Sequence, residues 1–200
     1  IQEQNESQFV TSIKNSFPHL ADSPLLLETF FSKNLAERIA AITDSSSRGI
    51  VVTRMMSVKP PTDSFGVSSQ DGILILDPVS YGRYAPYVDA LTSVNLEIVG
   101  RIFHEYRPYL EKAYAALGYA EEDFDNAVIK TLDQIINAPV ISSPILLKRY
   151  EAVYLFVDEE LESLSSLHKQ LVRMGPDNIE KIKSIASELR AALLEDSGQI

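Results

Sequence analysis

The sequence predicts an all-α fold: an irregular multi-helix bundle around one long, kinked central helix, with one small β-hairpin. Three observations predict it. Apolar residues recur at spacings of three and four along most of the chain. The period switches to that of a strand around one Asp71-Gly72 turn signal. Proline, glycine and small polar residues stand where such helices should start and stop.

In order, residues 1–8 are polar and expected to fray. Phe9, Val10, Ile13 and Phe17 are helically spaced, and Pro18 closes that helix. Ser23-Pro24 opens a second, with serine as N-cap and proline at the first position, followed by Leu25, Leu26, Leu27, Phe30 and Phe31. A third turns Leu35, Ile39 and Ile42 inward and ends in the polar cluster 44–49. Lys59-Pro60-Pro61 interrupts regular structure. Phe65, Val67, Asp71-Gly72 and the apolar run 73–76 then predict a hairpin near 64–76, which must lie on a helical face because a lone hairpin is marginal in water.

Asp77-Pro78 caps the next helix, whose face is Tyr81, Tyr84, Val88 and Leu91, with Pro86 kinking or restarting it. The central helix spans 95–118, roughly 33 Å long at ~1.5 Å per residue. Val99, Phe103, Tyr106, Leu110, Ala113 and Leu117 form its stripe, widened by Ile98, Ile102 and Tyr109 and flanked by Tyr114. Asn95 caps it, Gly118 ends it, and Pro108 predicts a kink. Phe124, Val128, Leu132 and Ile135 mark a further helix, closed by Pro139. Residues 140–144 read as extended, followed by a helix carrying Leu147, Tyr150, Val153 and Tyr154. A short turn begins at Asp158, Ser165 caps a helix over 167–174, and Gly175-Pro176 breaks the chain. Asp177 and Glu180 form a capping box for the last helix, with Ile179, Ile182, Ala186, Leu189 and Leu193 at heptad spacing. Residues 9–195 thus read as a single mainly helical domain.

Composition narrows the function. Two hundred residues at 45% hydrophobic content build a core without staples, and the absence of cysteine removes disulfides and a thiol nucleophile. A net charge of −10 argues against nucleic acid or an anionic membrane as partner. No run approaches the ~20 apolar residues of a membrane span. The chain starts Ile-Gln-Glu without methionine, so it is expected to be a soluble fragment or processed form, with any anchor upstream.

The residues nominate no catalytic site, metal or cofactor. His104-Glu105 opens like a zinc-protease helix, but Pro108 stands where the second histidine is required. His168, beside Lys169 on an amphipathic helix, reads as a surface residue. No glycine-rich phosphate loop and no serine elbow is present. Acidic clusters at 121–125 and 158–162 fall at helix N-termini, where the dipole favours them. A buried pair among them could instead serve a hydrolase acting on an envelope polymer.

One distribution is uneven. All nine tyrosines lie between Tyr81 and Tyr154, alongside Arg83, Arg107 and Arg149. Tyrosine and arginine pair a flat apolar body with a polar tip and suit recognition surfaces, although the same residues suit helix packing. The candidate binding residues are Tyr81, Arg83, Tyr84, Tyr87, Tyr114 and Arg173, for an unknown protein or small-molecule partner.

Several segments together resemble a family. Asp77-Pro78 with Tyr81, Arg83, Tyr84, Pro86 and Tyr87 is the first, and Pro108 with Ala113, Tyr114, Leu117 and Gly118 is the second. Phe124, Pro139, Tyr154 and the acidic stretch 158–162 follow. The run 169–178, KQLVRMGPDN, is the most specific. On these the chain resembles the uncharacterised bacterial Domain of Unknown Function 3014 family over well over half its length, and more loosely over 34–41. It departs from the family pattern at Arg107, where an aromatic residue is usual before the helix proline. The resemblance implies no activity. It implies an envelope protein with an N-terminal membrane anchor, a linker, and this domain on the periplasmic face of the inner membrane. A non-catalytic interaction module is the leading expectation, with the hydrolase and a small-ligand-binding helical domain as alternatives.

Overall fold

A computed structural model describes residues 2–18, 34–52 and 60–195. The expected helix around Leu25–Phe31 lies outside the described residues, as does Lys59. Within them the chain is mainly helical. Helices α1 (Gln2–Ser16) and α2 (Leu35–Ser47) come first, then strands β1 (Val67–Gln70) and β2 (Ile73–Leu76). A 3-10 helix (Pro78–Tyr84) leads into α3 (Ala85–Thr92), α4 (Leu96–Ala115) and α5 (Asp123–Ile136). Strands β3 (Leu146–Tyr150) and β4 (Val153–Phe156) precede α6 (Glu159–Ser163), α7 (Ser166–Met174) and α8 (Pro176–Glu195).

The central helix organises one half of the molecule. Asn95 accepts the Ile98 amide at 3.1 Å, the expected cap, and the helix runs through Pro108. Helices α1, α2, α5 and α8 pack on it. Its most buried face runs through Ile102, Leu110, Ala113 and Tyr114, so two residues expected at the margin are core. Leu117, expected in the stripe, lies beyond the helix end and is 43% exposed. Phe9, Ile13 and Phe17 of the N-terminal segment join this core. The polar residues 2–8 belong to α1. Its first turns are helical, and Glu6 accepts hydrogen bonds from Leu35 N at 2.6 Å and Tyr109 Oη at 2.5 Å. A polar segment is held here by charge-assisted bonds rather than apolar burial. On α2 the buried row is Leu35, Ala36, Ala40 and Thr43, of which the two alanines let α4 and α5 approach closely, while Ile39 packs at the margin.

The sheet corrects the expectation of a lone hairpin. Strands β1 and β2 pair antiparallel around Asp71 (φ 51°) and Gly72 (φ 79°), two left-handed residues as a primed turn requires. Strands β3 and β4 form a second hairpin, with Tyr150 opposite Val153 across Glu151-Ala152. Leu74 and Ile75 pair with Leu147 and Leu146, making one antiparallel sheet in the order β1-β2-β3-β4. The helix expected at 147–154 is therefore two strands. Its three-and-four spacing arises because the chain reverses at Glu151, whose φ of 52° does the work usually given to Asn or Gly. Leu76, Leu147 and Phe156 face inward on Ile145 and Val172, while Ile73, Leu146, Tyr150 and Val153 stand on the outward rows and are exposed.

Helices α5, α7 and α8 join the halves. Ala138, Leu171 and Ile179 form one contact and Leu132, Ala186 and Leu193 another. Ser165 caps α7 by accepting the His168 amide at 3.2 Å, and Asp158 caps α6. The expected Asp177–Glu180 capping box does not form: α8 begins at Pro176, two residues before the start such a box requires, with Ile179 N bonded to Gly175 O at 3.0 Å. His168, expected at the surface, is half-buried, and its Nε2 meets Gln134 O at 2.8 Å, so that nitrogen carries the proton.

Candidate functional site

The 3-10 helix is set by its first residues. Asp77 accepts the Val79 amide at 3.0 Å, and the buried Ser80 hydroxyl accepts Gly66 N at 3.1 Å, tying the turn to the entry of β1. Tyr81, Arg83 and Tyr84 follow within the turn. Helix α3 then restarts with Pro86 in its first turn, as expected, and carries Tyr87.

The run 169–178 meets this segment directly. Gly175 has φ 89°, and a Cβ built on it would sit 2.3 Å from Tyr81 Cγ. Glycine is required twice over there, for the backbone and for the ring lying on it. Asn178, buried, donates from Nδ2 to Tyr81 O at 3.0 Å and to Met174 O at 2.8 Å, closing a contact between residues 97 apart. Tyr84 Oη accepts from Gln170 Nε2 at 3.3 Å. Two of the segments that carry the resemblance, 77–87 and 169–178, far apart in sequence, thus fold into one junction against the sheet.

Its rim is lined by arginines on aromatic faces. The Arg83 guanidinium lies 5.9 Å from the Phe65 ring centroid and 5.5 Å from that of Tyr84. Phe65 in turn stacks on Tyr154, with centroids 5.9 Å apart and planes at 29°. Arg173 lies 4.9 Å from the Phe156 ring and donates to Tyr154 O at 3.3 Å. Arg149 is the cross-strand partner of Tyr154, on the same sheet face, and is exposed. Among the described residues no carboxylate lies within ion-pair distance of Arg83, Arg149 or Arg173. Arg83 Nη1 has a long 3.4 Å contact to Ser80 Oγ, and its buried Nε makes no hydrogen bond. The nearby acid is otherwise engaged: Glu162 accepts Lys169 Nζ at 2.8 Å and Phe156 N at 2.8 Å. Burial pushes its carboxyl up, but Lys169 and the Phe156 amide, with a smaller contribution from the charge of Arg173, outweigh this and hold it below the ordinary range.

Five of the six candidate residues therefore belong to one region. Tyr81 and Tyr87 have hydroxyl pKa values raised by burial, as does Tyr114. Tyr114 is elsewhere: it is 4% exposed in the helical core, between Tyr119 at 5.0 Å and Phe124 at 5.5 Å. It is a packing residue, grouped with the others only by composition. Phe65, Tyr154 and Asn178 complete the junction and were not nominated; the crowding of tyrosine and arginine pointed to Tyr154 and Arg149 without ranking them.

Two other features are distinct from it. Arg107 pairs with Glu111 at 2.9 Å and also with Asp125, whose Oδ1 is buried without a hydrogen bond. Burial raises the Asp125 carboxyl pKa, Arg107 pulls it back and Glu111 adds to the rise. One guanidinium bonds both acids, so it stands where a substrate of paired carboxylates would have to enter. A groove of about 480 Å³ lies where α3 and the start of α4 meet α8, lined by Leu91, Asn95, Glu97, Lys181 and Glu188. It contains none of the six candidates, and Asn95 is already committed to its helix cap. Among the described residues no group of three or more potential ligands could hold a metal ion, and no helix is long and apolar enough to cross a membrane.

No curated protein and no solved structure matches the chain. A family model does: that of the protein of unknown function DUF3014 matches residues 35–190, a span holding both sides of the junction, and the chain belongs to that family.

Proposed function

We propose that this is a non-catalytic interaction domain that recognises a partner through the arginine- and aromatic-lined rim of the junction. One observation carries the reading: Arg83 and Arg173 rest on aromatic rings, and among the described residues neither has a carboxylate within ion-pair distance. A partly buried guanidinium is costly when its charge is unmatched, and arginine on an aromatic face keeps its donor edges free for another molecule. Arginine and tyrosine are also the residues that most often dominate binding energy at interfaces. We place the domain in a membrane-anchored envelope protein, on the periplasmic face of the inner membrane. That part rests on family resemblance, with which the lack of cysteine and the acidic charge are compatible.

Affinity capture from a bacterial envelope fraction tests the reading. A partner retained by the native domain should be lost with Tyr84→Ala, Arg83→Gln or Arg173→Ala and kept with Arg107→Gln. Equal retention by all four variants overturns the assigned surface. The hydrolase reading has its best acids in Glu111 and Asp125, and Arg107 occupies the space between them.

A further inference from the structure

We infer that the partner presents an acidic, extended peptide segment, with carboxylates on alternate residues, to Arg83, Arg173 and Arg149. The inference rests on the interaction reading above and names the chemistry of what that surface takes.

The chain holds 28 acids against 18 lysines and arginines. Some described cations pair with them, while the exposed Arg101, Lys112, Lys130 and Lys148 have no carboxylate within ion-pair distance among the described residues and are left to solvent. Arg48 meets Asp44, Arg107 meets Glu111 and Asp125, Lys169 meets Glu162, Lys181 meets Asp89 and Arg190 meets Asp133. Arg83 and Arg173 differ from the exposed ones: both are partly buried on aromatic rings with no described carboxylate within ion-pair distance, Glu162 reaches Arg173 only through its longer-range charge, and Arg149 adds a third cation on the same sheet face. That is the arrangement that attracts and orients an anionic group.

Geometry favours a peptide over a single ion. The rings fix the guanidiniums of Arg83 and Arg173, which leaves their planar forks pre-organised for bidentate carboxylate pairing. The three arginines come from three elements: the 3-10 helix, α7 and β3. The Arg149 backbone stands across from Tyr154, with its Nε donating to Glu151 O at 3.3 Å at the hairpin turn, while Arg173 leans on Phe156 two residues further along β4. Two residues of a strand span roughly 7 Å, which is also the spacing of alternate side chains in an extended peptide. One phosphate is too small to satisfy both ends, whereas carboxylates at alternate positions suit them. The stacked Phe65 and Tyr154 offer apolar surface between the charges.

Titration of the full chain with a labelled peptide of alternating Glu and Gly tests this, beside the Gln counterpart and inorganic phosphate. The Glu peptide should bind, weaken as salt is raised, and lose about tenfold in affinity with Arg83→Gln or Arg173→Gln, the loss typical of one charged pair. Arg149→Ala, at an exposed site that leaves the core intact, should weaken binding in the same direction, and Arg107→Gln should not. Arg83→Lys keeps the charge without the fork and should fall between native and Gln. Thermal melts confirm that each variant is folded. Equal binding of the Gln peptide, saturation by phosphate alone, or indifference to all three rim variants overturns the inference. The two readings fail separately. Partner capture that depends on Arg83 and Arg173 without acidic-peptide binding removes only the peptide class; capture indifferent to them removes the surface itself.

Discussion

The helical half and the sheet half treat their arginines in opposite ways. In the helical half Arg107 sits between Glu111 and Asp125 and its charge is met inside the fold. In the sheet half Arg83 and Arg173 are laid on Phe65, Tyr84 and Phe156, and among the described residues no carboxylate pairs with either, the nearest to Arg173 being Glu162, which is bonded to Lys169. Both halves have a fully buried phenylalanine, Phe124 in one and Phe156 in the other, so the contrast is not one of better or worse packing. An internally paired guanidinium is a fixture of the fold. One held by rings and neutral oxygens is stabilised in place without a paired carboxylate, and this is the ground for reading the sheet half as the face that meets something else.

The largest effects should come from the two cores. Phe124→Ala and Phe156→Ala should each cost ~3–5 kcal/mol in denaturant unfolding, because each removes a fully buried ring. The rings lie in separate clusters, so the double variant should be additive within about 0.5 kcal/mol. Strong non-additivity would mean one core rather than two. Next comes the junction: Gly175→Ala should cost about 2–4 kcal/mol, since it combines a left-handed backbone with a collision against Tyr81. Gly118→Ala, left-handed at φ 100° but with open space around it, should cost only about 1 kcal/mol. Similar losses at the two glycines would dismiss the Tyr81 contact. Asn178→Ala should cost about 1–3 kcal/mol by leaving the carbonyls of Tyr81 and Met174 without their donor.

The smallest effects are pH-dependent and opposite in sign. Glu162 titrates below its ordinary range in the fold, so it contributes stability above the unfolded-state pKa that is lost as pH falls through the folded one. Asp125 titrates above its range, so the folded state holds that proton longer. Its contribution is full below the unfolded pKa and lost as pH rises through the folded one. Unfolding midpoints followed across the acid range should show the deficit of Glu162→Gln shrinking on acidification. Native protein should gain on Asp125→Asn over the same descent. Parallel curves would remove the claim that the two carboxylates are held differently.

The helical half was far more legible than the junction. A helix writes its buried face locally, so Leu110 and Ala113 of α4 and Ile179, Ala186 and Leu193 of α8 could be read from spacing, and Asn95, Asp77, Asp158 and Ser165 cap as their residue types suggest. The second hairpin was hidden because Leu147, Tyr150, Val153 and Tyr154 mimic a helical face across a reversal, and because Glu151 takes a left-handed φ without glycine. The junction was hidden for a different reason. Contacts between Tyr81 and Gly175 or Asn178 have no local signature; the enrichment in tyrosine and arginine named the right neighbourhood and also admitted Tyr114, which belongs to the other core.

The central contrast can be read directly from the arginine side-chain Nε–H resonances while the alternating Glu peptide is added. The account predicts that the Arg83 and Arg173 signals shift in a saturable way and that of Arg107 does not move. A shift at Arg107 equal to theirs, or none at Arg83 and Arg173, would contradict it.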